Sequence, residues 1–408
     1  MTTSANLVAP ERIKRLELPE RKSSLGMSLR AAERELERNA ARHTGLLDLT
    51  YADTKRFPAP SWAVESFTEV ATRGGRSYTA YRGDGGIRAA AAQNITAFMG
   101  IPVDPDRNLM LTPGTQAALY TALSAVLEAG DKAIIADPDY LTNERLIRYF
   151  GAETIKVPMH WEENERYTFD PDELEAAFKQ RPKLFLFSNP NNPTGTVHGE
   201  ETLKLIAELA VRYDVLVIAD ELYSRLVYDG RSYTHLAALE GMQERTITLL
   251  GPSKTESMSG YRLGVAVAPA VIVDRMEDVQ SIAALRAPAY AQPALARWIR
   301  DDKELVAERV REYQVLRDMA VQAFNSTNFI RAVPSGGTSY IFPRLVGIDA
   351  SDQEVALLLQ DKAGVIINPG YQSGELGRHH FRVCFAQDEK VFANALDRIV
   401  SALGSLRT

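Results

Sequence analysis

The stretch TITLLGPSKTESMSGYRLG, residues 246–264, decides the fold class and locates its working edge. Its first five residues are β-branched or aliphatic, the composition of a strand buried on both faces. Gly251 and Pro252 end that run, and Lys254 follows directly. Eight residues later Arg262 stands between Gly260 and Gly264. An amine at the tip of a core strand, with a second cation close behind, asks for a ligand. The same kind of apolar run recurs as NLMLT (108–112), KAIIA (132–136), ETIKV (153–157), KLFLFS (183–188), VLVIA (215–219) and VAVA (265–268). Stretches of helical period lie between them, such as TQAALYTALSAVLEAG (115–130) and GEETLKLIAELAVRYD (199–214). Continuous apolar strands alternating with helices predict an α/β fold with a mainly parallel, seven-stranded sheet covered by helices.

Outward from this sheet the pattern changes at both ends. Residues 1–24 are polar and read as a mobile arm, and SLRAAERELERNAARH (28–43) predicts a helix. Beyond about residue 290 the chain turns helical (LARWIRDDKELVAERVREYQVLRDMAVQAF, 295–324), followed by short strand candidates TSYIF (338–342) and HFRVCFA (380–386). The expected division is an arm and helix over 1–55 that join a small domain, a large domain over 56–290, and a small α+β domain over 291–408.

Composition narrows the partners. The 408 residues are 45% hydrophobic and 25% charged, with 47 basic and 53 acidic side chains and a formal net charge of −6. Nucleic acid or an anionic membrane would call for a concentrated basic face, so neither is expected as a partner. No window approaches the ~20 apolar residues of a membrane helix, and the first residues lack a signal-peptide core. A single cysteine, Cys384, rules out an internal disulfide and a cysteine-built metal site, and a cytoplasmic location is expected.

Open α/β sheets bind ligands outside the carboxyl ends of their strands. Five of those ends carry unusual groups: PGT (113–115), DPDY (137–140), SNPNNPTG (188–195), DELY (220–223) and GPSK (251–254). Each has an ordinary structural reading as well. PGT is a common strand–helix turn, NPNNPTG a plausible rigid loop, and an aspartate after a strand often caps a helix. Arg262 reads equally as a surface ion pair. Turn chemistry alone does not bring aspartate, asparagine, tyrosine, lysine and arginine to one rim. Together they describe a ligand with a phosphate, a flat ring, a protonated ring nitrogen, a phenolic oxygen and an aldehyde. Pyridoxal 5′-phosphate (PLP) has all five.

NPNNPTG, ADELY and SK…GYRLG, in this order and spacing, resemble the class I/II aminotransferases of PLP fold type I, from about residue 45 to the C-terminus. The resemblance implies an aspartate-aminotransferase-like enzyme that moves an α-amino group between an L-amino acid and a 2-oxo acid. By the same resemblance Lys254 forms the Schiff base, and Asp220 faces the pyridine nitrogen. Asn192 and Tyr223 face the ring hydroxyl, and Tyr140 stacks on the ring. Gly114, Thr115, Ser253 and Arg262 hold the phosphate. YTAYRGDGGIRAA (78–90) is similar to the segment in which a tyrosine, here Tyr78, reaches the phosphate of a neighbouring subunit, implying a homodimer. FRVCFA (381–386) resembles the strand whose arginine, here Arg382, grips the substrate carboxylate.

Three departures from the family pattern stand out. Gly251 occupies a position where many relatives bind phosphate with serine. The substrate loop LTYADTKRF (49–57) offers Ala52 where a glycine is usual, and is one residue longer; by the resemblance Ala52 and Asn192 join Arg382 in binding substrate. Thr115 stands where some aspartate-specific relatives have a lysine, which leans the expected side chain towards neutral or positively polar. Arg286 and Arg82 are candidates for reading substrate across a subunit interface. A lyase, synthase or oxidase on the same scaffold is the alternative activity. An effector-binding regulator is a third, disfavoured because 45 residues are too few for a winged helix and its linker.

Overall fold

Strand residues alternate between two dry faces, and this alternation builds the core. In KLFLFS, Phe185 and Phe187 enter one hydrophobic cluster while Leu184 and Leu186 enter another on the opposite face of the sheet. Ile134 and Ala136 divide from Ala133 and Ile135 in the same way. Two buried faces account for the uninterrupted apolar runs.

The computed structural model describes residues 10–16, 29–73, 78–162 and 166–407. Its main sheet comprises β1 (Leu109–Thr112), β2 (Lys132–Asp137), β3 (Glu153–Glu162), β4 (Arg166–Phe169), β5 (Leu184–Ser188), β6 (Leu216–Asp220), β7 (Thr246–Leu250) and β8 (Gly264–Val267). The spatial order is β1-β8-β7-β6-β5-β2-β3-β4. Strands β7, β6, β5, β2 and β3 run parallel. β8 is antiparallel to both β7 and β1, so β1 points the same way as the parallel set. Its terminal Thr112 therefore reaches the same rim as Asp137, Ser188, Asp220 and Leu250. Reversal of β8 brings its beginning, Gly264, to that rim too.

The sheet has eight strands rather than the seven read from sequence. β4 returns antiparallel on the end of β3, and its residues RYTF are too few and too mixed to stand out as an apolar run. Helices Thr115–Val126 and Ala270–Ala283 cover one face through Leu119, Leu123, Val273 and Met276. Helices Pro171–Lys179 and Glu200–Tyr213 cover the other through Phe178, Leu203 and Ile206.

A separate cluster joins helices Lys303–Asn325 and Glu389–Gly404 to an antiparallel sheet of β9 (Tyr340–Ile341), β10 (Asn368–Pro369) and β11 (Phe381–Cys384), ordered β9-β11-β10. Leu49, Phe57, Tyr223 and Tyr228 also pack into this cluster. The helical pattern expected from residue 295 begins as a helix only at Lys303. A short turn of 3₁₀ helix, Gln292–Ala296, precedes it, and Ile299 adopts a left-handed φ of 72° that an α-helix cannot continue through. The expected N-terminal helix is present as Leu29–Ala40. Of the arm, Glu11–Lys14 forms one helical turn, while residues 1–9 and 17–28 lie outside the described residues.

Candidate active site

A cavity of about 360 Å³ opens at the rim where the parallel strands end. Its wall includes Thr115, Tyr140, Asn192, Asp220, Tyr223, Ser253, Lys254, Arg262 and Arg382, so nine of the residues singled out from sequence converge there. The sheet register explains much of this. Asp220 pairs with Ser188 on β5 and with Leu249 on β7, which sets the carboxylate between the asparagine turn and the lysine loop.

Asp220 is half-buried at the floor, and its Oδ1 accepts the Leu222 N–H at 3.2 Å. Burial, with Glu221 alongside, pushes its carboxyl up to about 6, against the opposing pull of the Leu222 N–H and Lys254. A cation placed against this carboxylate would favour its ionised form.

One end of the cavity is built for an anion. Gly114, at φ 91°, turns the chain from β1 into helix Thr115–Val126, whose first N–H groups are unpaired within the helix. Arg262 is anchored by donating to the Ser259 carbonyl at 3.0 Å and the Pro113 carbonyl at 3.4 Å. Gly264 has no room for a side chain, since a Cβ there would collide with the Gly114–Thr115 peptide. Gly251 is explained in the same way: its Cβ would sit 2.8 Å from Thr115 Oγ1. The Thr115 hydroxyl, which donates to the Leu250 carbonyl at 3.3 Å, fills the space into which a residue-251 side chain would project. Ser253, the nearest hydroxyl along the chain, lines the cavity and makes only a long contact, 3.5 Å, to the Leu263 carbonyl.

Arg382 forms the other end. It is buried on β11, donating to Asn192 Oδ1 at 2.8 Å, Asn368 Oδ1 at 2.5 Å and the Thr50 carbonyl at 3.2 Å. Its guanidinium lies 4.0 Å from the centre of the Tyr340 ring, and the Tyr223 and Tyr340 hydroxyls are 3.2 Å apart. Burial, reinforced by Tyr340, pushes the Tyr223 phenol well above its ordinary value.

Several expectations are revised. From the loop 49–57 it is Thr50 and Tyr51 that line the cavity, while Ala52 packs against the cluster containing Leu49 and Phe57. Arg82 does not face outwards as a substrate reader, because it pairs with Asp274 and Glu277 at 2.5 Å each. Arg286 is half-buried, with its guanidinium over the rings of Tyr78 and Tyr81 at 4.5 and 4.9 Å. Tyr78 is 80% exposed and lies outside the cavity wall of its own chain. Tyr340, Asn368 and Ser188 are site residues that the sequence pattern does not single out. Tyr340 sits in the TSYIF strand, where its aromatic type is visible but its pairing with Arg382 needs the register of β9 on β11.

The class I and II aminotransferase family model matches residues 46–399. The chain belongs to that family. An aromatic-amino-acid aminotransferase of Thermococcus litoralis is 32% identical, over 85% of this chain and 89% of its own length. An aspartate aminotransferase of Pyrococcus abyssi is also 32% identical, covering 78% and 81% respectively. Among solved structures, an aspartate aminotransferase from Rhodobacter sphaeroides superposes with a TM-score of 0.87 at 39% identity, over 90% of this chain and 95% of that one. This aminotransferase depends on PLP and has the type I fold. It transfers an amino group between an amino acid and a 2-oxo acid; nothing among these relatives points to the lyase or oxidase alternative.

The cavity fits PLP by the chemistry of its donors. A helix start and a guanidinium would suit a phosphate, a carboxylate a ring nitrogen, and an amine an aldehyde. The glycines at 114, 251 and 264 clear the approach to that helix start.

Proposed function

We propose that Lys254 carries the PLP and serves as the proton-transfer base, with Asp220 as partner of the ring nitrogen and Arg382 as the substrate-carboxylate clamp. The observation that carries this reading is the convergence of Lys254, Asp220 and Arg382 on one cavity from three separate parts of the chain. Gly114, Thr115, Ser253 and Arg262 would hold the phosphate, Tyr140 would pack on the ring, and Asn192 and Tyr223 would face the ring hydroxyl.

Bound PLP supplies a sink for the electrons released when Cα loses its proton. The protein's part is positional and acid–base. Arg382 receives the α-carboxylate through charge-assisted bonds, and Asn192 and Asn368, which accept from its Nη atoms, fix the plane of the guanidinium. With the carboxylate anchored, Cα lies towards Lys254, whose Nζ accepts the proton from one face and returns it. Asp220 keeps the ring nitrogen protonated by remaining ionised against it.

Beside the polar partners of Arg382, the cavity wall carries Tyr51, Leu222 and Tyr340. This supports neutral and aromatic amino acids as donors, with 2-oxo acids as acceptors. The highly exposed Tyr78 supports a homodimer in which it reaches the partner's phosphate. The clustering of residues 313–403 around β9–β11 supports the domain division at about residue 290, and the lone buried Cys384 supports a cytoplasmic location.

The experiment is borohydride reduction of the PLP-loaded protein followed by peptide mapping. Label on Lys254, and its loss in Lys254→Ala together with a rate drop of about a thousandfold or more, is expected. Label elsewhere, or normal transamination by Lys254→Ala, sinks the reading. A panel of amino acids with 2-oxoglutarate then reads the donor class.

A further inference from the structure

Asp139 lies between β2 and Tyr140, and its two carboxyl oxygens are treated unequally. Oδ1 accepts the Tyr140 N–H at 2.7 Å, the Ser188 hydroxyl, and the Asn191 amide at 3.3 Å. Oδ2 is buried with no hydrogen-bond partner among the described residues. The residue is 4% exposed. From β6, the next strand but one, the carboxylate of Asp220 bears on it; Glu144 and Lys156, of opposite charge, line the same small cavity as Asp139. On its own segment Asp137 is turned away, onto the N–H groups of Glu375 and Leu376. From the 370–373 turn the Ser373 carbonyl accepts the Asp139 N–H, and Gln372 lines the same cavity. An ionised carboxylate here would leave one oxygen bare, beside a like charge. A neutral acid removes the like charge and leaves Oδ2 as an uncharged hydroxyl, a cheaper group to bury than a bare anionic oxygen, while Oδ1 keeps its three donors.

We propose that Asp139 is a positioning acid, held neutral with its proton on Oδ2, that orients Ser188 and Asn191 beneath the cofactor and leaves the negative charge of the cavity floor to Asp220. Ser188 transmits the effect, since its oxygen also accepts the Asn192 N–H at 3.2 Å, and Asn192 in turn holds Arg382. Burial pushes the Asp139 carboxyl up to about 7, with the Ser188 hydroxyl opposing and Asp220 reinforcing. An ionised Asp139 would add a second negative charge beside Asp220 and tighten the hold on protons at the ring nitrogen and at Lys254. The inference rests on the site reading given above.

The test uses the full-length PLP-loaded enzyme, wild type and Asp139→Asn, titrated through pH 7. Infrared difference spectra read the stretch of a protonated buried carboxyl, and absorbance reads the cofactor. The expected result is a protonated-carboxyl component that disappears as pH rises in the wild type and is missing from Asp139→Asn, with an absorbance step lost in the same variant. An unchanged infrared component, or an absorbance step retained by Asp139→Asn, overturns the proposal. If Asp139→Asn does not fold, Ser188→Ala serves: removing a donor that favours the anion moves the infrared midpoint to higher pH, and a midpoint that stays or falls overturns it. Failure of the Lys254 reading alone would remove the absorbance step from both proteins and leave the infrared difference intact.

Discussion

Replacing Arg225 by methionine tests how the lysine loop is held. Arg225 has a side chain only 9% exposed, and Glu256 and Asp302, which it bridges, are 0% exposed. Its Nη1 donates to Glu256 Oε1 and, at 3.0 Å, to Asp302 Oδ2, while Nη2 donates to Asp302 Oδ1 at 2.5 Å. Glu256 lies two residues beyond Lys254, and Asp302 immediately precedes helix Lys303–Asn325, so one guanidinium ties the loop to that helix. Methionine keeps the aliphatic stem and leaves two carboxylates buried without it. Breaking a buried pair from one side costs about 3–5 kcal/mol.

The pH dependence separates this cause from lost packing. Burial already pushes Glu256 up to about 7, with Arg225 opposing and Asp302 reinforcing. A carboxyl raised in the folded state stabilises nothing as it ionises. Stability is highest below its unfolded value of 4.5 and is lost as pH rises towards the folded value. Without Arg225 the folded value climbs further, so the loss extends above pH 7. Urea midpoints of Arg225→Met against wild type, with PLP in excess, should therefore nearly coincide at acid pH and separate above neutrality. Adding Glu256→Met and Asp302→Leu should recover most of the deficit. A deficit below about 1 kcal/mol, or one that does not change with pH, would refute the reasoning.

Three further outcomes follow from the site. Arg382→Leu should lower kcat/KM by on the order of a hundredfold, since charge-assisted bonds of about 1.5–3 kcal/mol are lost, and should leave PLP binding intact by fluorescence titration. Gly251→Ser, whose Cβ would meet Thr115 Oγ1 at 2.8 Å, should weaken PLP affinity about tenfold, a difference of ~1.4 kcal/mol; Thr115→Gly in the same chain should restore part of it, and a wild-type affinity for the single variant would contradict the packing argument. Arg82→Ala should leave KM unchanged for every donor while lowering the thermal midpoint, because its two carboxylate partners, Asp274 and Glu277, lie on its own chain.

How much of the fold and the site is legible in the sequence depends on the range of the interaction. The strands that are buried on both faces read correctly because their period and composition are local: TITLL matches β7 residue for residue. Lys254, Asp220 and Asn192 are legible because each follows such a strand closely, and the strand direction fixes the rim. β4 escapes a sequence reading because it is an edge strand with one mixed face. Its position depends on the hairpin with β3 rather than on its own hydrophobicity. The start of the long helix at Lys303 is misread because helical period in 295–302 is overridden by the left-handed Ile299 and by the demand that Asp302 face Arg225.

The site residues that sequence misses or misassigns share one physical cause. Thr50, Asn368 and Tyr340 meet Arg382, which the sequence does single out, only when β11 pairs with β9 on one side and β10 on the other, and no local pattern encodes that register. Gly251 is the instructive case. The family pattern alone makes this glycine a phosphate ligand short of its hydroxyl. In three dimensions it is half of an exchange, because the hydroxyl of Thr115, 136 positions earlier in the chain by their numbers, takes the space a side chain at 251 would occupy. The same Thr115 reads from sequence as a missing lysine and hence as a clue to substrate. Its hydrogen bond to the Leu250 carbonyl and its clash geometry with residue 251 tie it to the anion end of the cavity, so its identity is accounted for by packing there and is no guide to the substrate's side chain.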